Sequence, residues 1–189
     1  MPETTPPPAD LAALSLAQIV AAIDGQDVAP VDQWHPEHCG DSAMRIARDG
    51  TWYHEGRPIA RPAMVRLFAR ILRREPNGGF VLVTPVEKLA IAVEDAPFVA
   101  IEMKSEGGGR ARRIAFRLNT DEIVVAGPEN GLRIAEAGDS ATPYLHVRRG
   151  LEARIARPVY YEMVELALAE GEHPPGIWSD GTFLSLMPR

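Results

Sequence analysis

A chain of 189 residues that is 46% hydrophobic can fill a packed core, which excludes a disordered protein. Twenty Lys and Arg residues against 26 Asp and Glu residues give a net charge of -6, which excludes wholesale coating of DNA or of an anionic membrane. The single cysteine, Cys39, excludes an internal disulfide and favours a reducing compartment, so we expect a cytoplasmic protein.

The N-terminal region (residues 1–24) predicts a proline-rich tail followed by a short amphipathic helix. Its first eight residues contain four prolines and no basic residue, so a secretory signal is not expected. Ser15 and Gln18 have the spacing of a capping box, and the apolar residues that follow lie on one helical stripe. The apolar stretch is too short to cross a bilayer, so we expect no membrane insertion.

The tetrapeptide Ile-Ala-Arg-Pro occurs twice, at residues 59–62 and 155–158. The apolar residues after each copy follow the i, i+3, i+4, i+7, i+8 spacing of a buried helical stripe. These matching positions are Met64, Leu67, Phe68, Ile71 and Leu72 in the first copy and Tyr160, Met163, Val164, Ala167 and Leu168 in the second. A hairpin is predicted before each helix, turning at Glu55-Gly56 and near Arg149-Gly150. The pattern therefore predicts two duplicated halves, residues 25–95 and 96–189.

Alternating apolar residues predict strands through most of the remaining chain. Residues 88–94 and 98–104 alternate strictly, with Val99, Ile101 and Met103 on one face of the second strand. Further strands are predicted at residues 112–118, 123–126 and 132–136, and tight turns at Asp49-Gly50 and Asp180-Gly181. The fold class is α+β and mostly antiparallel. We expect a smaller sheet in the first half and a run of strands closed by a helix in the second.

Several motifs together resemble a known bacterial family. They are Cys39-Gly40, Asp49-Gly50-Thr51-Trp52, Arg61, a helix over residues 65–75, Thr84-Pro85-Val86-Glu87-Lys88 and Val93-Glu94-Asp95-Ala96-Pro97-Phe98. From about residue 36 onward the chain resembles the domain of unknown function 1285 family. The resemblance implies two related α+β halves, the second similar to a pleckstrin-homology-like barrel, with a role in ligand binding or signalling. It implies no reaction.

Arg61 and Arg157 stand where a strand runs into a helix, and each could bind an anion together with the unpaired N–H groups of that helix. The alternative is that each arginine pairs with a nearby carboxylate and stabilises the corner. Glu87, Lys88 and Asp95 lie around the strand expected to connect the halves.

We therefore favour a non-catalytic module that binds an acidic or phosphorylated small molecule near the junction, without a cofactor. The alternative reading of the same residues is a hydrolase-like enzyme that uses these carboxylates with Arg61. Asp95, which precedes Ala96-Pro97, could instead cap a turn.

The first predicted helix carries basic residues opposite its apolar stripe, namely Arg66, Arg70, Arg73 and Arg74. The second helix carries Glu162, Glu165 and Glu170 on its polar side. A basic face could meet an acidic protein partner, so an interaction scaffold is a third hypothesis, and ordinary solvated charge is the simpler one.

Four residues of metal-ligand type, His35, His38, Cys39 and Asp41, fall within seven positions. Their spacing matches no zinc pattern, so we predict no structural metal and a loop with a half-buried cysteine that enters the first strand. The tryptophans are dispersed and no basic stripe accompanies them, so nucleic-acid binding is not expected. No catalytic signature occurs, and the ligand cannot be named from the sequence.

Overall fold

The computed structural model describes Ser15, Gln18, residues 29–137 and residues 140–188. The Ser15 N–H donates to Gln18 Oε1 at 2.8 Å and the Gln18 N–H donates to Ser15 Oγ at 3.3 Å, which confirms the capping box. The remainder of the predicted N-terminal helix and the proline-rich tail lie outside the described residues. No helix among the described residues is long and apolar enough to cross a membrane.

The first half is a six-stranded sheet with one helix, α1, between its third and fourth strands. The elements are β1 (His38–Ile46), β2 (Trp52–His54), β3 (Arg57–Pro58), α1 (Pro62–Arg70), β4 (Leu72–Arg74), β5 (Phe80–Val83) and β6 (Glu87–Val93). Their order in the sheet is β3-β2-β1-β6-β5-β4. The β1 and β6 strands run parallel, and the other neighbouring pairs are antiparallel.

The second half is another six-stranded sheet, followed by a helix and a separate hairpin. The elements are β7 (Phe98–Glu106), β8 (Arg113–Leu118), β9 (Ile123–Val125), β10 (Leu132–Ala137), β11 (Ser140–Arg148), β12 (Leu151–Ile155), α2 (Arg157–Glu170), β13 (Gly176–Ser179) and β14 (Thr182–Ser185). The sheet order is β10-β11-β12-β7-β8-β9, with β12 and β7 parallel. The predicted α+β class with mostly antiparallel strands is confirmed.

The two halves are similar in size, which corrects the prediction of a smaller first sheet. Prediction from alternation missed β5 because its four residues, Phe80–Val83, are all apolar, and three of them are buried. It missed β4 because Leu72 also continues the helical stripe of α1. Two six-stranded sheets, each with one helix, are consistent with an internal duplication.

Helix α1 ends at Arg70, so the prediction that it continues to residue 75 is wrong. Leu72 is 1% exposed and pairs with Leu82 of β5, and this sheet pairing replaces the last helical turns. The predicted apolar stripe is therefore only partly buried. Phe68 and Ile71 pack against the core, whereas the predicted inward position Leu67 is 59% exposed.

Helix α2 buries the stripe Val159, Met163 and Ala167 against the sheet. The predicted burial of Met163 and Ala167 is confirmed, Val164 is half-buried, and Leu168 is exposed. Spacing of i, i+4, i+8 centres this buried face about one position earlier than the predicted stripe.

A bulge in β7 changes which residues face the core. Its register with β8 shifts between Ala100 and Glu102, so Ala100 and Met103 are buried while Ile101 lies at the surface. The strict alternation predicted for Val99, Ile101 and Met103 is wrong at Ile101 for this reason.

One hydrophobic core extends across both halves. Ile46, Trp52 and Leu72 of the first half belong to the same buried cluster as Phe98, Phe116 and other residues of the second. The turn at Gly50 also lies against the second half, where Asn119 Nδ2 donates to the Gly50 carbonyl at 3.2 Å. A Cβ at Gly50 would come within 2.6 Å of that nitrogen, and its φ of +88° also favours glycine.

Candidate functional site

Arginine side chains connect the halves through main-chain carbonyl groups. Arg74 Nη1 donates to the Gly150 carbonyl at 3.0 Å, and Arg148 Nη2 donates to the Ala69 carbonyl at 2.9 Å. Arg154 Nη2 donates to the carbonyl of Arg48 at 2.8 Å. The junction between the halves is therefore rich in guanidinium groups.

A cavity of about 340 Å³ opens at this junction, and we call it the junction pocket. It is lined from both halves by Arg74, Gly78, Phe80, Asp95, Ala96, Pro97, Arg133, Ala135, Tyr144, Gly150 and Glu152. The ends of β4 and β5 and the segment after β6 supply one wall, and β10, β11 and β12 supply the other. Its volume falls within the range of small-molecule sites.

Asp95 is held by two partners of the second half. The Tyr144 hydroxyl donates to Asp95 Oδ1 at 2.6 Å, and Arg154 Nε lies 3.4 Å from Oδ2. Burial, together with the hydrogen bond to Asp95, raises the pKa of Tyr144 to about 12. Tyr144 is therefore a neutral hydrogen-bond donor at neutral pH.

Two guanidinium groups of the junction pocket, one from each half, lie over aromatic rings. The Arg133 guanidinium is 4.4 Å from the centroid of the Tyr144 ring, and that of Arg74 is 5.7 Å from the centroid of Phe80. Arg133 also donates to both carboxylate oxygens of Glu152, at 2.9 and 2.7 Å. These contacts orient the planar groups and leave further N–H groups of both arginines available.

Of the five site residues predicted from the sequence, Asp95 lines the junction pocket. Glu87 and Lys88 begin β6, and Lys88 Nζ lies 3.4 Å from Glu75 Oε2. Arg61 is the N-cap residue of α1 and Arg157 is the first residue of α2. Both arginines are exposed, and neither guanidinium group has a hydrogen-bond or ion-pair partner among residues 29–137 and 140–188.

The basic helical face predicted from four arginines is wrong because α1 ends at Arg70. Arg73 lies on β4, where its Nη1 donates to the carbonyls of Val31 and Trp34 at 2.8 and 2.9 Å. Its side chain is 12% exposed and pairs with Glu75. Burial alone would raise the pKa of Glu75. Its hydrogen bonds and charge interactions with Arg73 and Lys88 outweigh burial, so the pKa lies below its ordinary value. Of the four, Arg70 alone is exposed and without a partner in the described part of the chain.

The segment around Cys39 is a strand, and Cys39 is exposed instead of half-buried. Asp41 Oδ1 accepts a hydrogen bond from the Ala43 N–H at 2.7 Å, which uses this carboxylate in a local turn. Within the described residues no group of three or more His, Cys, Asp or Glu side chains could hold a metal ion.

Sequence reasoning missed Arg133, Tyr144 and Glu152. Arg133 and Tyr144 are direct cross-strand partners between β10 and β11, so their juxtaposition depends on strand register. The predicted turn at Arg149-Gly150 joins β11 to β12, so it could have indicated that Glu152 lies on the strand next to that of Tyr144.

A larger cavity of about 520 Å³ lies within the second half. Its charged lining residues are Glu122, Glu129, Asp180 and Arg148, and Arg148 is paired with Glu122. This excess of carboxylates disfavours an anion, so the junction pocket fits an anion better.

The chain is similar to solved structures and to one curated protein. A DUF1285 family protein from Silicibacter pomeroyi DSS-3 is 46% identical with a TM-score of 0.79, covering 93% of this chain and 96% of that one. Another, from Shewanella baltica OS155, is 25% identical with a TM-score of 0.52, covering 66% and 91%. An orotate phosphoribosyltransferase from Haloquadratum walsbyi is 28% identical over 140 residues, which are 74% of this chain and 73% of that protein.

Two family profiles cover almost the whole described chain. Residues 29–96 match the domain of unknown function (DUF1285), N-terminal domain, and residues 97–186 match the protein of unknown function (DUF1285), C-terminal domain. The resemblance found in the sequence motifs is thereby confirmed. The chain belongs to the DUF1285 family.

Proposed function

We propose that the protein is a non-catalytic module that binds a small carboxylic acid or phosphorylated molecule in the junction pocket. One observation carries this proposal: Arg74 and Arg133 come from different halves and line the same cavity, each oriented by an aromatic ring. A planar guanidinium fork presents paired N–H groups in the geometry that carboxylate and phosphate oxygens accept.

The charge balance of the junction pocket favours an anion. Each of its two carboxylates is already paired with a guanidinium group, Asp95 with Arg154 and Glu152 with Arg133. Arg74 donates to a neutral carbonyl and has no carboxylate partner among the described residues, so its positive charge is uncompensated.

Tyr144 supports binding over acid-base catalysis. With a pKa of about 12, its hydroxyl retains its proton at neutral pH and is poorly matched to the role of a general base. It holds Asp95 in place and supports the Arg133 guanidinium with its ring.

In addition to Asp95, four residues that do not line the junction pocket remain proposed ligand-binding residues, namely Arg61, Glu87, Lys88 and Arg157. The exposed and unpaired guanidinium groups of Arg61 and Arg157 favour a role for them, whereas the ion pair of Lys88 with Glu75 must be broken or shared. Arg61→Ala is therefore a further variant for the calorimetric titration described below, and a weaker affinity would support a role for Arg61.

A ligand in the junction pocket would contact both halves at once, which is the physical basis of a proposed role in signal transduction. A ligand that contacts both sides of a junction shifts the arrangement of the halves by its differential affinity for each arrangement.

The strands β7 to β12 and the closing helix α2 support a pleckstrin-homology-like barrel for the second half. The exposed, unpaired Cys39 supports a cytoplasmic location.

A thermal-shift screen of carboxylic acids, phosphorylated metabolites, nucleotides and inorganic phosphate tests the proposal. We expect at least one compound to raise the melting temperature, because it binds the native state selectively. Calorimetric titration of that compound should then show affinity at least about tenfold weaker for Arg74→Gln and Arg133→Gln, since each removes a charge-assisted hydrogen bond.

Arg110→Gln is the matched control, because Arg110 also lies over an aromatic ring, 4.6 Å from the Trp178 centroid, but does not line the junction pocket. Its affinity should equal that of the natural protein. A panel without a stabilising compound, or unchanged affinity in both Arg74→Gln and Arg133→Gln, would overturn the proposal.

A further inference from the structure

The solvent side of α1 combines exposed apolar side chains with an unpaired cation. Met64 is 39% exposed and Leu67 is 59% exposed, and the two lie one turn apart. Arg70, one turn after Leu67, is exposed and has no ion-pair partner among residues 29–137 and 140–188. We call these residues the α1 face.

The solvent side of α2 has the same apolar character with the opposite charge. Tyr161 is 61% exposed and Leu168 is 71% exposed, and Glu165 lies between them on the same side of the helix. Glu162 flanks this stripe, and both glutamates lack an ion-pair partner within the described chain. Burial and the neighbouring carboxylates Glu165 and Glu102 raise the pKa of Glu162, as is expected of a carboxyl group with no cation beside it. We call Tyr161, Glu162, Glu165 and Leu168 the α2 face.

We propose that the α1 face docks on the α2 face of a second copy of this chain. The partner is inferred from charge complementarity. Each chain carries one exposed apolar face with an unpaired cation and a second exposed apolar face with unpaired carboxylates. A twofold axis that places α1 of each copy against α2 of the other makes this contact twice and closes the pair.

The spacing of the apolar side chains fits such a contact. Along a helix, Tyr161 and Leu168 are about 10.5 Å apart, and Met64 and Leu67 are about 4.5 Å apart at a rise of about 1.5 Å per residue. Met64 and Leu67 therefore fit within the length between Tyr161 and Leu168, beside Glu165. Arg70 then approaches Glu165, and the four apolar side chains lose contact with water together.

Sedimentation equilibrium of the full chain over a range of concentrations tests the proposal. We expect a reversible dimer, with twice the 20.6 kDa mass of one chain. Arg70→Glu and Glu165→Arg should each weaken the dimer at least about tenfold, because each places like charges across both contacts. An equimolar mixture of the two variants should dimerise like the natural protein, because both contacts then join opposite charges.

Two further variants separate this contact from general charge effects and from misfolding. Leu67→Asp places a charge in the exposed apolar stripe, so it should give a monomer with unchanged circular dichroism. Glu37→Arg makes the same charge change as Glu165→Arg on an exposed residue outside both faces, so its dimer should be unaffected. A natural protein that is monomeric at all concentrations, dimers insensitive to these changes, a mixture that fails to recover, or assemblies that grow beyond a dimer would each overturn the proposal.

Discussion

Replacing Glu170 by Gln tests the ion pair that connects the end of α2 to the β7–β8 loop. Glu170 Oε1 accepts hydrogen bonds from Arg112 Nη2 at 2.5 Å and from the Gly109 N–H at 2.9 Å. The Arg112 and Glu170 side chains are 10% and 16% exposed. Removing one partner of a buried pair costs about 3 to 5 kcal/mol. Because this pair retains some exposure, we expect Glu170→Gln to lower the free energy of unfolding by about 3 kcal/mol. This loss corresponds to a melting temperature lowered by about 6 to 12 °C.

The dependence of this loss on pH gives a second test. The hydrogen bond from Arg112, followed by that from Gly109, lowers the pKa of Glu170 below its ordinary value of 4.5. The stabilisation is therefore fully present above pH 4.5 and is lost as the pH falls through the lower folded-state pKa. Urea unfolding should show a constant difference between the natural protein and Glu170→Gln at pH 6 to 8 and a shrinking one in acid.

Asp180→Asn is the control for this experiment, because its ion pair with Arg113 is formed by side chains that are 43% and 51% exposed. An exposed pair contributes about 0 to 1 kcal/mol. If Glu170→Gln loses no more stability than Asp180→Asn, or if its loss is unchanged in acid, the reasoning about burial and pairing is refuted.

Three further predictions concern packing and titration. Leu72→Ala should lower the free energy of unfolding by about 2 to 5 kcal/mol, because Leu72 is buried. Leu67→Ala should change it by less than about 1 kcal/mol, because the Leu67 side chain on α1 is exposed. Equal losses in urea unfolding would contradict the observed end of the helix. Gly176→Ala should lower the melting temperature more than Gly108→Ala, because its Cβ would lie 2.7 Å from a main-chain oxygen while Gly108 faces open space; the reverse order would contradict this packing. In alkaline ultraviolet titration, Tyr144→Phe should remove a tyrosine that ionises near pH 12, and loss of an earlier step would contradict its burial.

The turns were predicted correctly because local chemistry decides them. Residues Glu55, Arg149 and Asp180 adopt positive φ, and each is followed by a glycine that also does so. This arrangement requires no distant partner, so a dipeptide in the sequence is sufficient evidence. The same local evidence correctly identified the capping box of Ser15 and Gln18.

Elements that depend on distant partners were predicted less well. The residues Leu72–Arg74 form a strand because they pair with β5, and nothing in their own spacing distinguishes a strand from the last turn of α1. The junction pocket depends on the same kind of information, since its walls come from strands of both halves. Asp95 was identified beside a predicted strand end, but Arg133 and Tyr144 became neighbours only through strand register.

The parallel pairing in each sheet has a consequence for how the chain folds. Residue 38 pairs with residue 87 in the first sheet, and residue 98 pairs with residue 153 in the second. Each central pairing must close a long loop before its hydrogen bonds form, and such high contact order slows folding. During synthesis the first half has all its strands before the second begins, so we expect it to fold first. Its exposed core surface then provides a template on which the second half condenses.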